Sequence, residues 1–529
     1  MMEPKLKRTL TAICIFLLAL SSCNNPGNRV TVSLPRSTPA TEGVDPKGII
    51  DFISAVNNSN HEFHSIMILR HGKVVTEGWW SPYSPSLKHT LYSLSKSFTS
   101  TAVGFAVSEN KLKLTDKVVS FFPGSLPDSV SRYLAGMKVR DLITMSAGMD
   151  PDPTMFIPAN DTDWVKAFLA RPVVNEPGTR FLYNSMATYM LSAIVQKVTG
   201  EKVIDYLTPR LFRPLGIEGI DWETDPMGIN TGGWGLRLRT EDMAKFGQLY
   251  LQKGKWNGKQ ILPAEWVDEA TTFKIDQAPG APDSVKGRSD WMQGYCYQFW
   301  RCRHNAFRGD GAFGQYIIVI PEKDAVVAIT CETPDMQGEL NLVWDYILPA
   351  LRDQPIPEDN ASETLLKQML GSVAVKLPAK GIESNSASSL EGKTFVLGKN
   401  DTGMESFAFG FSGNDCTLRM KQNGSAYDFT FGREEWQKGK TSRPGPNLLM
   451  TEKGYERQIP KAEVAGMCRW RDTNCLELTL RYIESPHTET FTCTFKGDSL
   501  IADREISFLR GVQSSLYSKN RVLKGKVTD

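Results

Sequence analysis

The order of apolar and polar positions divides the chain into successive regions. Leu10 to Leu20 is an apolar run preceded by Lys5, Lys7 and Arg8. At 1.5 Å per residue its eleven positions are too few to cross a hydrocarbon core of about 30 Å, so residues 1–22 read as an export signal rather than a membrane span. A polar stretch, 23–36, follows as a tether. Ser65–Leu69 and Lys73–Glu77 are short apolar-rich runs around Arg70-His71-Gly72, a hairpin signal. Helical periodicity then takes over in Ser95–Glu109, Val139–Thr144, Thr162–Leu169, Ala187–Val198, Thr240–Leu251 and Pro263–Thr271. Strand patterns return at Tyr295–Cys302, Gln315–Ile320 and Ala325–Thr330. Strands at both ends with helices between predict an α/β domain of the α+β type over 37–352, an antiparallel sheet flanked by helices.

Beyond it the pattern changes twice. Residues 353–389 hold Pro355, Pro357, Pro378 and a Ser/Asn-rich run, and read as a linker with one short helix at Ser362–Leu370. From 390 to 529 short alternating runs recur between Gly, Asn and Asp turns, among them Thr394–Leu397, Ser406–Phe411, Cys475–Tyr482 and Ile506–Leu509. They predict a small all-β barrel or sandwich that packs on or caps the first domain.

Composition narrows the function classes. The 529 residues are 41% hydrophobic and 23% charged with a formal net charge of +2, the balance of an ordinary globular protein. No block of like charges marks a nucleic-acid footprint, so no nucleic-acid partner is expected. Nine cysteines are present. Cys14 lies in the signal and Cys23 at its end, leaving seven with no C-x-x-C and no histidines at zinc spacing. If Tyr295–Cys302 is a strand, Cys296 and Cys302 lie about 20 Å apart and do not pair. No metal or organic cofactor is implied, and no signal for oligomeric state is visible. His61-Glu62-Phe63-His64 is one residue short of the zinc-protease spacing, and no G-x-S-x-G elbow occurs.

The chemistry concentrates at Ser93-Leu94-Ser95-Lys96. Three residues apart at a helix start, Ser93 and Lys96 share a face, so the amine reaches the hydroxyl, and the helix N-terminus favours a developing oxyanion. By itself the spacing is weak, since Ser108 and Lys111 repeat it at the far end of the same helix. A capping serine followed by a solvated lysine is the bland alternative.

Context favours chemistry. Ser93 to Gly104, Val139-Arg140-Asp141-Leu142-Ile143-Thr144-Met145, Pro177 to Tyr183, Pro214-Leu215-Gly216-Ile217, Gly232-Gly233-Trp234-Gly235-Leu236 and Gly314 to Pro321 occur in order. Over about 35–350 the chain resembles the serine β-lactamase and penicillin-binding-protein superfamily, in its class C-like, esterase-like branch. The resemblance implies a β-lactamase/transpeptidase-like fold, Ser93 as nucleophile, and Lys96 and Tyr183 as its activating groups, with Tyr183 drawn toward phenolate. Where that family has Tyr-x-Asn this chain reads Tyr183-Asn184-Ser185, so Ser185, or Asn184 in a shifted loop, faces the substrate. Its Lys/His-Thr-Gly element is replaced by Phe307-Arg308-Gly309-Asp310-Gly311-Ala312-Phe313. Gly311, Ala312 and Phe313 are the candidate backbone oxyanion donors, and Arg308 reads as a surface cation. Leu20-Ser21-Ser22-Cys23 resembles a bacterial lipobox, implying lipidation at Cys23 and anchoring to a membrane of the cell envelope, on the periplasmic face or the outer surface.

These readings converge on a serine hydrolase that cleaves a small-molecule or peptide ester or amide through an acyl-enzyme. A β-lactamase or D-Ala-D-Ala-type peptidase is the alternative within the family. A non-catalytic binding or sensing lipoprotein is the alternative outside it.

Overall fold

The structure is a computed structural model that describes residues 33–384, 386–449, 460–510 and 522–527. The expected export signal, Cys23 and most of the expected tether lie outside the described residues. The first domain is built on a six-stranded antiparallel sheet. Its strands are β1 (Glu62–Arg70), β2 (Lys73–Trp79), β3 (Trp300–Arg301), β4 (Phe307–Gly311), β5 (Gln315–Ile320) and β6 (Ala325–Glu332), in the order β2-β1-β6-β5-β4-β3. The two ends of the domain meet at its centre, where β1 runs antiparallel to β6 with Ile66 opposite Ile329.

Both faces are covered, and the period of two along each strand sorts side chains between them. Met67 and Leu69 enter one core and Ile66 and Ile68 the other. The second core is closed by α1 (Pro46–Asn57) and the helical segment 336–350. The first is closed by α2 (Ser95–Ser108), α3 (Ser185–Thr199) and α4 (Thr240–Leu251). Asn184 starts α3 by accepting a hydrogen bond from the Ala187 N–H at 3.0 Å, and Gly200 ends it in the left-handed conformation.

Two readings of this domain change. Tyr295–Cys302 is not one strand: Gln298 has φ 63, Tyr295 bridges back to Trp300, and only Trp300–Arg301 is extended as β3. The 20 Å separation argued for Cys296 and Cys302 therefore has no basis, although both are free thiols, as are Cys331, Cys416, Cys468, Cys475 and Cys493. Arg308 is not a surface residue either. It is fully buried against Asp310, Trp291 and Trp300, because β4 is sandwiched between β5 and the loops around Asp290.

Within the linker, α5 (Asn360–Ser372) packs on α1 and β2. The C-terminal region is β7 (Thr394–Leu397), β8 (Met404–Ser412), β9 (Asp415–Gln422), β10 (Ser425–Gly432), β11 (Gln437–Thr441), β12 (Ala462–Asp472), β13 (Cys475–Tyr482), β14 (Thr488–Lys496), β15 (Ser499–Ile506) and β16 (Val522–Val527). Pairing of β10 with β12 closes it into a nine-strand barrel, with β11 outside on β12. Alternation fills it: Cys416, Leu418 and Met420 point inward while Thr417 and Arg419 face out. Ser507–Leu509 is a short 3-10 turn rather than a strand. Among the described residues no helix is long and apolar enough to cross a membrane.

Candidate active site

Ser93 stands where a short strand becomes a helix. His89–Thr90 pairs with Leu236–Leu238, and the chain then turns through Tyr92, whose φ of 48 is the left-handed region, into the 3-10 turn Tyr92–Leu94 and α2. Left-handed backbone is strained for a bulky residue and persists only where surroundings hold it. Ser95 helps: its hydroxyl donates to the Tyr92 carbonyl at 2.7 Å and accepts from the Leu236 N–H at 3.1 Å. Ser93 is half-buried and reachable from solvent.

The hydroxyl-rich start of α2 is buried, not solvated. Ser97, Thr99 and Thr101 each donate to a carbonyl, of Gln298, Gly232 and Ser97 respectively, all at 2.9 Å. The helix thus brings Lys96 into the interior, 2% exposed. Its Nζ lies 3.0 Å from Ser93 Oγ, 2.9 Å from Ser185 Oγ and 2.7 Å from the Gly233 carbonyl, and 4.8 Å above the Tyr183 ring. None of the three hydrogen-bonding oxygens is charged. Loss of hydration pulls the Lys96 ammonium down to about 7, with the more distant carboxylates of Asp152 and Asp310 working against the fall. Burial and the Asp310 charge push Tyr183 upward, opposed by its hydrogen bond with Ser93. Its resting form is the neutral phenol, contrary to the expected drift toward phenolate.

Sequence-predicted residues divide around this cluster. Ser93, Lys96, Tyr183 and Ser185 come together. Asn184 does not join them: its carbonyl oxygen is used to cap α3 and its amide points toward Met149 Sδ at 3.8 Å. Gly311, Ala312 and Phe313 form the end of β4 and its turn into β5, closed by the Gly314 N–H on the Gly311 carbonyl at 3.2 Å. A side chain at Gly309 would meet Leu94 Cδ1 at 2.4 Å and Ser97 Oγ at 2.7 Å, and one at Gly311 the Leu91 carbonyl at 2.0 Å. Glycine at both positions lets β4 lie directly on the Ser93 turn. Phe313 has φ 68 and turns its ring away, toward Tyr92, with centroids 5.6 Å apart.

On the other face of β4, Arg308 Nη2 binds Asp310 at 2.9 Å and Nη1 donates to the Asp290 carbonyl at 2.8 Å. The cation in this slot is therefore neutralised within the protein. Trp300 stacks on Tyr183 at 5.7 Å and walls the site. Asp152 was not anticipated. It accepts from the Thr154 N–H and hydroxyl, and Thr154 Oγ1 accepts from the Ser185 N–H. Nothing in the local sequence marks it. Among the described residues no group of three or more His, Cys, Asp or Glu side chains could hold a metal.

The Ser93 turn, a buried lysine and a glycine-rich strand laid over them make up this site. A family model described as Beta-lactamase matches residues 64–352. The chain belongs to the beta-lactamase family. Over 296 residues it is 24% identical to a 6-aminohexanoate-dimer hydrolase of Paenarthrobacter ureafaciens, covering 51% of this chain and 73% of that one. Over 317 residues it is 22% identical to a Beta-lactamase of Escherichia coli (strain K12), covering 51% and 82%. Among solved structures, a candidate 6-aminohexanoate-dimer hydrolase from Bacillus anthracis superposes with a TM-score of 0.51 at 20% identity, covering 62% of this chain and 89% of that one. That likeness is one of fold. The beta-lactamase family is one of serine hydrolases, and the barrel lies beyond the matched residues.

Proposed function

We propose that the protein is an esterase- or amidase-like serine hydrolase of the class C-like branch, with Ser93 as nucleophile and Lys96 as its base. The observation that carries this reading is the set of neutral oxygens around Lys96 Nζ. A neutral amine has two N–H groups and one lone pair. With one N–H on the Gly233 carbonyl, which can only accept, and the other on Ser185 Oγ, the lone pair is free for the Ser93 hydroxyl proton. The amine takes the Ser93 proton as Oγ bonds to the ester or amide carbonyl carbon. N–H groups of Ser93 and of the Gly311–Phe313 turn receive the oxyanion. The proton passes from Lys96 through the Tyr183 hydroxyl to the leaving oxygen or nitrogen, whose bond to carbon breaks. Water, activated by the same amine, then releases the acyl group and frees Ser93.

Arg308 is spent on Asp310, so no free cation stands in that slot to hold a substrate carboxylate. This favours esters and amides without an anionic handle over penicillins and D-Ala-D-Ala peptides. The relatives named as hydrolases support the reaction class. We further assign the protein to the bacterial cell envelope as a lipoprotein, carried by lipid on Cys23.

Mass spectrometry of residues 24–529 after exposure to a fluorophosphonate tests the reading. One adduct on Ser93, absent in Ser93→Ala, together with no turnover of a chromogenic cephalosporin, is the expected result. Cephalosporin turnover would make it a β-lactamase. No adduct on folded protein would leave a binding lipoprotein.

A further inference from the structure

The barrel meets the hydrolase domain through the turn between β13 and β14, residues 483–487. Ile483 is buried in the core that includes Ile66 and Ile329. The Glu484 carbonyl accepts from the Thr90 N–H at 2.9 Å and its carboxylate pairs with Arg237 at 3.1 Å. The Ser485 carbonyl accepts from the Tyr83 hydroxyl at 3.2 Å. These contacts dock the turn. His487 does something else.

Its ring is fully buried. Nδ1 lies 2.7 Å from Glu332 Oε1, an oxygen that also accepts from Ser507 Oγ at 2.6 Å. A carboxylate only accepts, so Nδ1 carries a proton. Nε2 is hydrogen-bonded to the hydroxyl of Tyr92. Leu448, also from the C-terminal region, donates its N–H to the same Tyr92 oxygen at 3.4 Å. The imidazole stands perpendicular to Phe313, 4.9 Å between centroids, and Phe508 packs on both, 4.4 Å from His487 and 5.6 Å from Phe313.

Two of the residues this ring touches, Tyr92 and Phe313, are adjacent to the two backbone parts the reaction needs. Tyr92 immediately precedes Ser93, and Phe313 immediately follows Ala312. Both have left-handed backbone, φ 48 and φ 68, a conformation strained for such residues and retained only where the surrounding structure enforces it. Both are contacted by the C-terminal region, Tyr92 by His487 and Leu448 and Phe313 by His487 and Phe508.

We propose that His487 is a positioning residue of the hydrolase site, holding the Ser93 turn through Tyr92 and the Ala312 turn through Phe313, so that the barrel completes the acyl-transfer machinery. This rests on Ser93 being the nucleophile. A displacement of either turn by about 1 Å costs on the order of 10²-fold in rate, because nucleophile and oxyanion donors must face one carbonyl.

Four full-length variants test it, read by the second-order rate of fluorophosphonate labelling and by kcat and KM on a p-nitrophenyl ester. His487→Ala should label at least tenfold more slowly, with kcat reduced and KM unchanged. His487→Gln, whose amide can both donate to Glu332 and accept from Tyr92, should recover most of the rate. Tyr92→Phe and Tyr83→Phe each delete one hydroxyl bonded to the 483–487 turn. Only Tyr92→Phe should slow labelling, by threefold or more. Equal effects of the two Tyr→Phe changes would make the turn a docking contact and overturn the proposal, as would wild-type rates in His487→Ala. Should His487→Ala not fold, the Tyr92→Phe and Tyr83→Phe pair decides alone. Failure of the wild type itself to label would remove the Ser93 reading, and the positioning role with it.

Discussion

Lys96 and Arg308 are both buried cations, one on α2 and one on the strand laid against it, yet their surroundings have opposite consequences. Arg308 has a carboxylate at 2.9 Å, a carbonyl at 2.8 Å and the face of Trp291 at 4.5 Å. Its charge is compensated and its proton held above even the usual guanidinium range, despite the opposing loss of hydration. Lys96 has only neutral oxygens in reach, and its proton is released at about 7. Burial therefore does not decide whether a cation becomes a base. The charge of the group touching it does. One site is built to keep its proton and the other to give it up and take it back.

Three changes would break or sharpen this contrast. Lys96→Arg keeps a cation but removes the lone pair, since a guanidinium does not deprotonate. Fluorophosphonate labelling of Ser93 should fall by about 10²- to 10⁴-fold, the contribution of a positioned general base. Retained labelling would show that Lys96 acts only through its charge.

Asp310→Asn leaves the Arg308 charge buried without its carboxylate. Denaturant unfolding should report a loss of about 3–5 kcal/mol. The same change removes a negative charge that stabilises the Lys96 ammonium. In the wild type the labelling rate should rise as pH increases through about 7, where the neutral amine forms. In Asp310→Asn that rise should move to lower pH. A rise at unchanged pH would uncouple the two sites.

Ser185→Ala deletes one neutral acceptor beside Nζ. The loss should be smallest, about 1 kcal/mol or some fivefold in labelling rate, because a neutral hydrogen bond is replaced rather than a charge stranded. A loss as large as that of Lys96→Arg would give Ser185 a direct part in proton transfer.

Much of the architecture was legible in the chain itself. The apolar-rich runs of β1 and β2, the helical periods of α2, α3 and α4, and the turn residues of the C-terminal half gave the sheet, its helices and an all-β second domain. Local periodicity reports which face of an element is buried, and that survives folding. The Ser93-x-x-Lys96 spacing was legible for the same reason, being fixed by one helical turn. Elements set by distant partners were not. Tyr295–Cys302 reads as a strand but bends at Gln298, whose amide donates to the Ile143 carbonyl at 2.8 Å. Arg308 reads as a surface residue because nothing within its own strand announces the rings of Trp291, Trp300 and Tyr316 closing around it. The choice of Ser185 over Asn184 depended on which side chain caps α3, and the neutral state of Tyr183 on the depth of its burial. Most distant of all, the partner of Tyr92 lies 395 residues away in the barrel. Sequence by itself determined the elements, the fold class and the identities of the reactive groups, because these follow from short-range periodicity and chemistry. Only tertiary structure decided that Arg308 is buried together with its neighbour Asp310 while Lys96 is buried among neutral oxygens, because desolvation is set by residues far apart in the chain.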